Sequence, residues 1–165
     1  MAAKCRRQRG NAEDDGAAAK ATTIFTIGFA KKSAREFFAL LEGAGVRRVV
    51  DVRLNNVSQL AGFTKRHDLE FFLDRICGTG YVHAPGLAPT KEILNDYKAK
   101  AITWADYEHR FASLMADRCI ENMMTRREMD RACLLCSEPT ADRCHRRLVA
   151  EYLRDKWEGT RIVHL

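Results

Sequence analysis

Residues 133–146 read CLLCSEPTADRCHR and concentrate side chains that can do chemistry. Cys133, Cys136 and Cys144 lie close to Glu138, Arg143, His145 and Arg146, with Arg147 next in line. Three chemistries draw on such residues. Zinc takes thiolate and imidazole ligands, and Cys133, Cys136, Cys144 and His145 would make a set of four. A redox pair needs two thiols, one of them acidified. An anion pocket needs guanidinium groups beside a carboxylate or imidazole that moves protons.

Spacing ranks these readings. ACLLCS reads as a strand, where side chains three apart point to opposite faces. Cys133 and Cys136 would then diverge, with Leu134 and Leu135 between them rather than a tight turn. Cys144 and His145, neighbours on one helix, would diverge by about 100°. The primary reading therefore assigns no metal and no cofactor, and the four-ligand set stays as an alternative. A thioredoxin-like pair needs its C-x-x-C at a helix N-terminus, and here it lies in the strand. Cys144, in the first turn of the following helix beside Arg143, His145 and Arg146, is a candidate acidified thiol. The competing reading is a packed cysteine under the sheet edge.

The anion reading rests on charge. Helix starts favour carboxylates, yet this one carries Arg143, His145, Arg146 and Arg147. Something negative must face them: Asp51, Glu138, or a bound phosphate or carboxylate. Helical phase puts His145 with Leu148, Val149 and Tyr152, toward the sheet. Arg147 shares the solvent face with Glu151 and Arg154, and Arg146 lies between. The alternative is an ion-pair network, with Arg53 or Arg146 clamped by Asp51 or Glu138.

The surrounding elements say how these residues could meet. ATTIFTIGF predicts a strand over 22–28 ended by Gly28, and SAREFFALLEGAG a helix with a Ser33/Glu36 capping box. VRRVVDVR predicts a strand over 46–53. Residues 54–64 read as a loop that Val57, Leu60 and Phe63 pack down. A helix over 65–77, a short strand over 80–84, and helices in KEILNDYKAK, WADYEHRFASLMADR and 119–130 follow. The fourth strand is 132–137. A helix capped by Asp142 follows it, and TRIVHL closes the chain as a fifth strand. Alternation of strands with helices, two strands being apolar throughout, predicts a three-layer α/β domain. Its mainly parallel sheet of about five strands has helices on both faces. Ligands of such sheets bind beyond the carboxyl ends of the strands. Those ends carry Gly28, Asp51, Arg53, Tyr81, His83, Cys136 and Glu138.

The totals bound the rest. A chain of 165 residues with 46% hydrophobic residues makes one domain with one substantial core. No apolar run reaches the ~18 residues of a membrane span. Residues 1–20, mixed in charge and rich in alanine and glycine, read as a disordered basic tail, leaving a domain over 21–165. The net charge of +6 favours anionic partners. Six cysteines without an export signal fit a reducing cytoplasm. Cys77 and Cys119 read as buried apolar residues, and Cys5 as incidental. Oligomeric state is not legible.

TIGFA after the first strand, DVRLNNVSQLAGF around the second, GYVHAPGLAPTKEIL and CLLCSEPTADRCHRRLVAEYL together resemble the family known as domain of unknown function 488. The resemblance spans 24–165. It implies a compact cytoplasmic α/β domain without supplying a reaction. It carries over Asp51, Arg53, Ser58, Phe63, Cys136, Glu138, Cys144, His145 and Arg146. The family often has Gly-His-Ser where this chain has Gly28, Phe29 and Ala30, so no histidine role transfers there.

The functional expectation is an enzyme for a small anionic substrate, nucleotide-like or phosphorylated, acting by hydrolysis or transfer. Arg53, Arg146, Ser58 and Gly28 would bind it. Asp51 or Glu138 would act as base or nucleophile, with His145 and Cys144 completing the catalytic set. The alternative is a binding module for nucleic acid or protein, drawing on Lys31, Lys32, Lys65, Arg66 and the tail. A thiol redox or metal sensor is the third reading.

Overall fold

A computed structural model describes residues 21–57 and 62–165. The expected tail, Ser58 and Leu60 lie outside the described residues. Five strands form one sheet: β1 (Thr22–Gly28), β2 (Arg48–Asp51), β3 (Gly80–His83), β4 (Ala132–Cys136) and β5 (Thr160–His164). Their order is β3-β2-β4-β1-β5, and every pairing is parallel. The expected three layers are present, with a sheet parallel throughout.

Alternation along each strand sorts the core into two halves. Phe25, Ile27, Val49, Cys133 and Leu135 face α1 (Ala34–Gly43) and α2 (Arg66–Phe72), meeting Phe37, Phe38, Leu41 and Leu69. Ile24, Val50, Val52 and Leu134 face the other way. There they meet α3 (Lys91–Lys98), α4 (Trp104–Asp117), α5 (Arg126–Met129) and α6 (His145–Lys156) through Ile93, Phe111, Met129, Leu148 and Val149. No helix of the described residues is long and apolar enough to cross a membrane.

Local signals held where the side chain itself makes the bond. Ser33 and Glu36 form the capping box of α1, and Thr103 and Asp106 form that of α4. After α2 the chain continues as a π-helical turn, Leu73–Cys77, and stops at Gly78 in the left-handed region, φ 59°.

Four local readings are corrected. The stretch 119–130 is not one helix but a 3₁₀ turn, Ile120–Asn122, and then α5. Thr125 restarts the chain there through its own capping box. The last helix begins at His145 with Cys144 as N-cap, whereas Asp142 is exposed in the preceding turns. Cys77 and Cys119 are half-buried rather than buried, because both sit at element ends. Val57 is 65% exposed instead of packed down.

Sheet order fixes where a ligand could sit. From β1 the chain runs toward β2, and from β4 it runs toward β5, in the opposite direction. The divergence opens a crevice at the carboxyl ends of β1 and β4. Gly28 and Cys136, partners in the β1–β4 register, lie at its floor.

Candidate functional site

The polar strand ends do gather at one edge, but alternation divides them into two clusters on opposite faces of the sheet. Asp51 shares its face with Val49, toward α1 and α2. Cys136 shares its face with Leu134, toward α4 and α6.

The first cluster centres on Asp51, which is fully buried. Arg53 clamps it bidentately, Nε to Oδ1 at 2.7 Å and Nη2 to Oδ2 at 2.6 Å. The Arg53 backbone N–H donates to Oδ1 at 3.1 Å, and the Tyr81 hydroxyl donates to Oδ2 at 2.7 Å. Arg53 also donates to the Thr64 carbonyl, and its guanidinium lies 5.3 Å from the centre of the Phe29 ring. Asn56 donates to the Tyr81 oxygen, and His83 Nε2–H donates to the Arg53 carbonyl. Burial and the bond to Asp51 push the Tyr81 hydroxyl well above the ordinary tyrosine range. Charge and hydrogen bonds close on themselves here, as the ion-pair alternative describes.

The second cluster does not close in that way. Cys136 ends β4 at 3% exposure, and Cys144 caps α6 at 1%. Cys144 has extended backbone, φ −135° and ψ 136°, so it is not on the helix. The divergence expected of two helical neighbours therefore does not arise. A sulfur from Cys136, another from Cys144 and a ring nitrogen of His145 lie within 4.8 Å of one another. These three could coordinate a metal ion, whereas Cys133 is turned into the opposite half of the core. That exclusion follows from strand alternation, as the spacing of the sequence predicted.

His145 is held from both sides. Its Nε2 lies 2.8 Å from the Val52 carbonyl, which can only accept, so Nε2 carries the hydrogen. Nδ1 faces the Cys136 sulfur at 3.5 Å. Phe111 meets the imidazole edge-on at 6.3 Å between ring centres. Base, orienting group and thiol thus stand in series, the arrangement that activates a nucleophile.

Arg146 is 1% exposed. Its Nη1 donates to the Glu138 carbonyl at 2.7 Å and contacts the Cys144 sulfur at 3.2 Å, while its buried Nε has no partner. Among the described residues no carboxylate pairs with it. The carboxylate of Glu138 cannot neutralise it, since the Glu138 side chain is exposed and only its backbone turns inward. Gly28 makes this packing possible. A Cβ there would stand 1.6 Å from the Glu138 oxygen and 2.9 Å from Arg146 Nη1.

The two thiols shift in opposite directions. Hydrogen bonding with the neighbouring Cys144 thiol is the main cause holding Cys136 below the usual thiol range. Burial opposes that shift. Backbone N–H groups of Glu138 and Ser137 and the charge of Arg146 assist it. Cys144 is pushed up, first by that same bond and then by burial. Cys133, which shares the far face with Leu135, is pushed up by burial alone, with Arg146 opposing.

Sequence reasoning singled out Cys144 as the acidified thiol, and the structure gives that character to Cys136. The missed signal is the loop 137–143, whose backbone N–H groups turn back onto the strand end. The sequence also marked Tyr81 and His83 as strand-end residues without anticipating their bonds to Asp51 and Arg53. Arg147, expected in solvent, is half-buried between Glu108 at 2.6 Å and Glu151 at 3.3 Å.

A family model described as "Domain of unknown function DUF488" matches residues 33–153, and the chain belongs to that family. No curated protein and no solved structure matches the chain.

Proposed function

As a member of a family whose description names no reaction, the chain must be read from its site, and we propose a thiol-dependent enzyme acting on a small anionic substrate. The observation that carries this reading is the buried guanidinium of Arg146, which contacts the Cys144 thiol and, among the described residues, pairs with no carboxylate. A buried charge without a counter-charge costs several kcal/mol. A thiolate on Cys136 or an incoming anion removes that cost. Cys136 Sγ is the nucleophile, and His145 Nδ1 takes its proton. The Val52 carbonyl orients the ring. Attack forms a bond from sulfur to the substrate's electrophilic centre, and the leaving group departs with the proton held on His145. Water or a second acceptor then releases the transferred group. Cys136 and Cys144 are buried, so access requires movement, and loop 137–143 between them, with neither helix nor strand, is the segment that supplies it. Asp51 and Arg53 shape the strand end rather than meet the substrate. The exposed carboxylate of Glu138 lies on the loop that moves.

The test compares an anionic alkylating agent, iodoacetate, with neutral iodoacetamide on the folded chain. Relative to free cysteine, Cys136 should favour the anion by about tenfold or more, the equivalent of ~1.4 kcal/mol. Arg146→Lys should keep part of that preference and Arg146→Gln should abolish it, with thermal melts showing both variants folded. Alkylation of Cys136 only at the rate of global unfolding would overturn the proposal. So would stoichiometric metal, with both thiols protected, in protein purified anaerobically without chelator.

A further inference from the structure

We infer that the cluster also reduces hydroperoxides, with Cys136 as the attacking thiol and Cys144 as the resolving one. The inference rests on the proposed nucleophile and adds a role for the second sulfur and a second substrate class.

Three observations carry it. The two sulfurs already lie within 4.8 Å of each other on either side of loop 137–143. A disulfide needs a separation of about 2.05 Å. The remaining movement falls on Cys144, a cap residue with extended backbone, and on a loop without regular structure. Next, Cys136 and Cys144, at 3% and 1% exposure, admit a reagent the size of hydrogen peroxide more readily than a bulky disulfide. Finally, breaking an O–O bond expels an alkoxide or hydroxide, and the groups that receive it are in place. Arg146 Nη1 lies 3.2 Å from the Cys144 sulfur, and His145 Nδ1 lies 3.5 Å from that of Cys136.

The steps balance. Cys136 gives its proton to His145 Nδ1, and the thiolate attacks the terminal oxygen of ROOH. An S–O bond forms as the O–O bond breaks, and RO⁻ leaves with the proton from His145 as ROH. Cys136 is now a sulfenic acid. Cys144 passes its proton to His145, and its sulfur attacks that of Cys136. Hydroxide leaves and takes the proton as water. Two thiols are oxidised by two electrons and one hydroperoxide is reduced by two. An external thiol would restore the pair by exchange. Cys133 takes no part, because it lies in the opposite half of the core.

The experiment treats the reduced full chain with one equivalent of hydrogen peroxide and maps the products by peptide mass spectrometry. The wild type should form a Cys136–Cys144 disulfide about 10²-fold faster than free cysteine reacts, the lower end of what a positioned proton donor contributes. Cys144→Ser should stop at a sulfenic acid on Cys136, trapped by dimedone, and Cys144→Ala should do the same if serine disturbs the cap. Cys136→Ser should lose the fast reaction. Rapid alkylation of Cys136 with peroxide no faster than free cysteine would overturn this inference and leave the nucleophile standing. Sulfinic acid rather than disulfide in the wild type would remove the resolving role of Cys144. Slow alkylation and slow oxidation together would remove both readings.

Discussion

Asp51–Arg53 and Cys136–Arg146 each place a guanidinium at the carboxyl end of a central strand, on opposite faces of one sheet. In the first, the charge meets a carboxylate that also accepts from a backbone N–H and a tyrosine. In the second, it meets a carbonyl and a thiol, and one of its nitrogens is left without a partner. A saturated network gives up nothing to a ligand without losing stability. An unsaturated one has attraction to spare. The contrast explains why equally polar strand ends divide into a structural pair and a candidate reactive centre.

The largest expected effect breaks the saturated side. Asp51→Ala leaves Arg53, 5% exposed, without its counter-charge and takes the hydrogen-bond partner from Tyr81. Urea denaturation should show a loss of about 3–5 kcal/mol. A loss below about 1 kcal/mol would mean that the pair is already relaxed into solvent.

An intermediate effect sits on the reactive side. Gly28→Ala drives a methyl group against the Glu138 carbonyl and Arg146. Denaturation should show a cost of about 1–3 kcal/mol from this overpacking. Alkylation of Cys136 should change in the same variant, since the displaced loop supplies backbone N–H groups to its sulfur. Unchanged alkylation would detach the reactivity of Cys136 from the loop.

The smallest effect sharpens the contrast within one strand. Cys133 and Cys136 are three residues apart on β4, and their thiols shift in opposite directions. Cys133, Tyr81 and Tyr107 all keep their protons in the fold beyond the ordinary range, mainly through burial. The unfolded chain begins to lose those protons above roughly pH 8.5 to 10. There the folded state binds more protons, so stability falls as pH rises. Thermal melts across that window should show the decline, and Cys133→Ala should make it shallower. An identical slope in the variant would show that the thiol of Cys133 ionises as freely as in the unfolded chain.

Much of the candidate site was legible because it depended on residue type and period. Period-two alternation in ACLLCS placed Cys133 and Cys136 on opposite faces, and Cys133 lies in the other half of the core. Helical phase turned His145 toward the sheet, where it meets Val52 and Phe111. What the sequence misread were events at element ends. Asp142 has the side chain of an N-cap, but the chain turns helical three residues later at His145. That delay puts Cys144 on extended backbone, within reach of Cys136. Likewise Glu138 reads as a carboxylate for a pocket, yet the loop presents its carbonyl to Arg146 and leaves the side chain in water.

By itself the sequence determined the elements, the alternation of strand and helix, and the set of residues at the strand ends. Each follows from local periodicity, capping and side-chain chemistry, which act over a few residues. Tertiary structure alone decided the strand order and with it the crevice between β1 and β4. It also decided which partner each arginine meets. Both find partners near in sequence: Arg53 closes on the carboxylate two residues away, whereas Arg146, above Gly28, turns to the Glu138 carbonyl and the Cys144 sulfur and, among the described residues, to no carboxylate. Which nearby group an arginine reaches depends on how the rest of the fold holds the strand ends and loop 137–143, and residue spacing alone does not encode that.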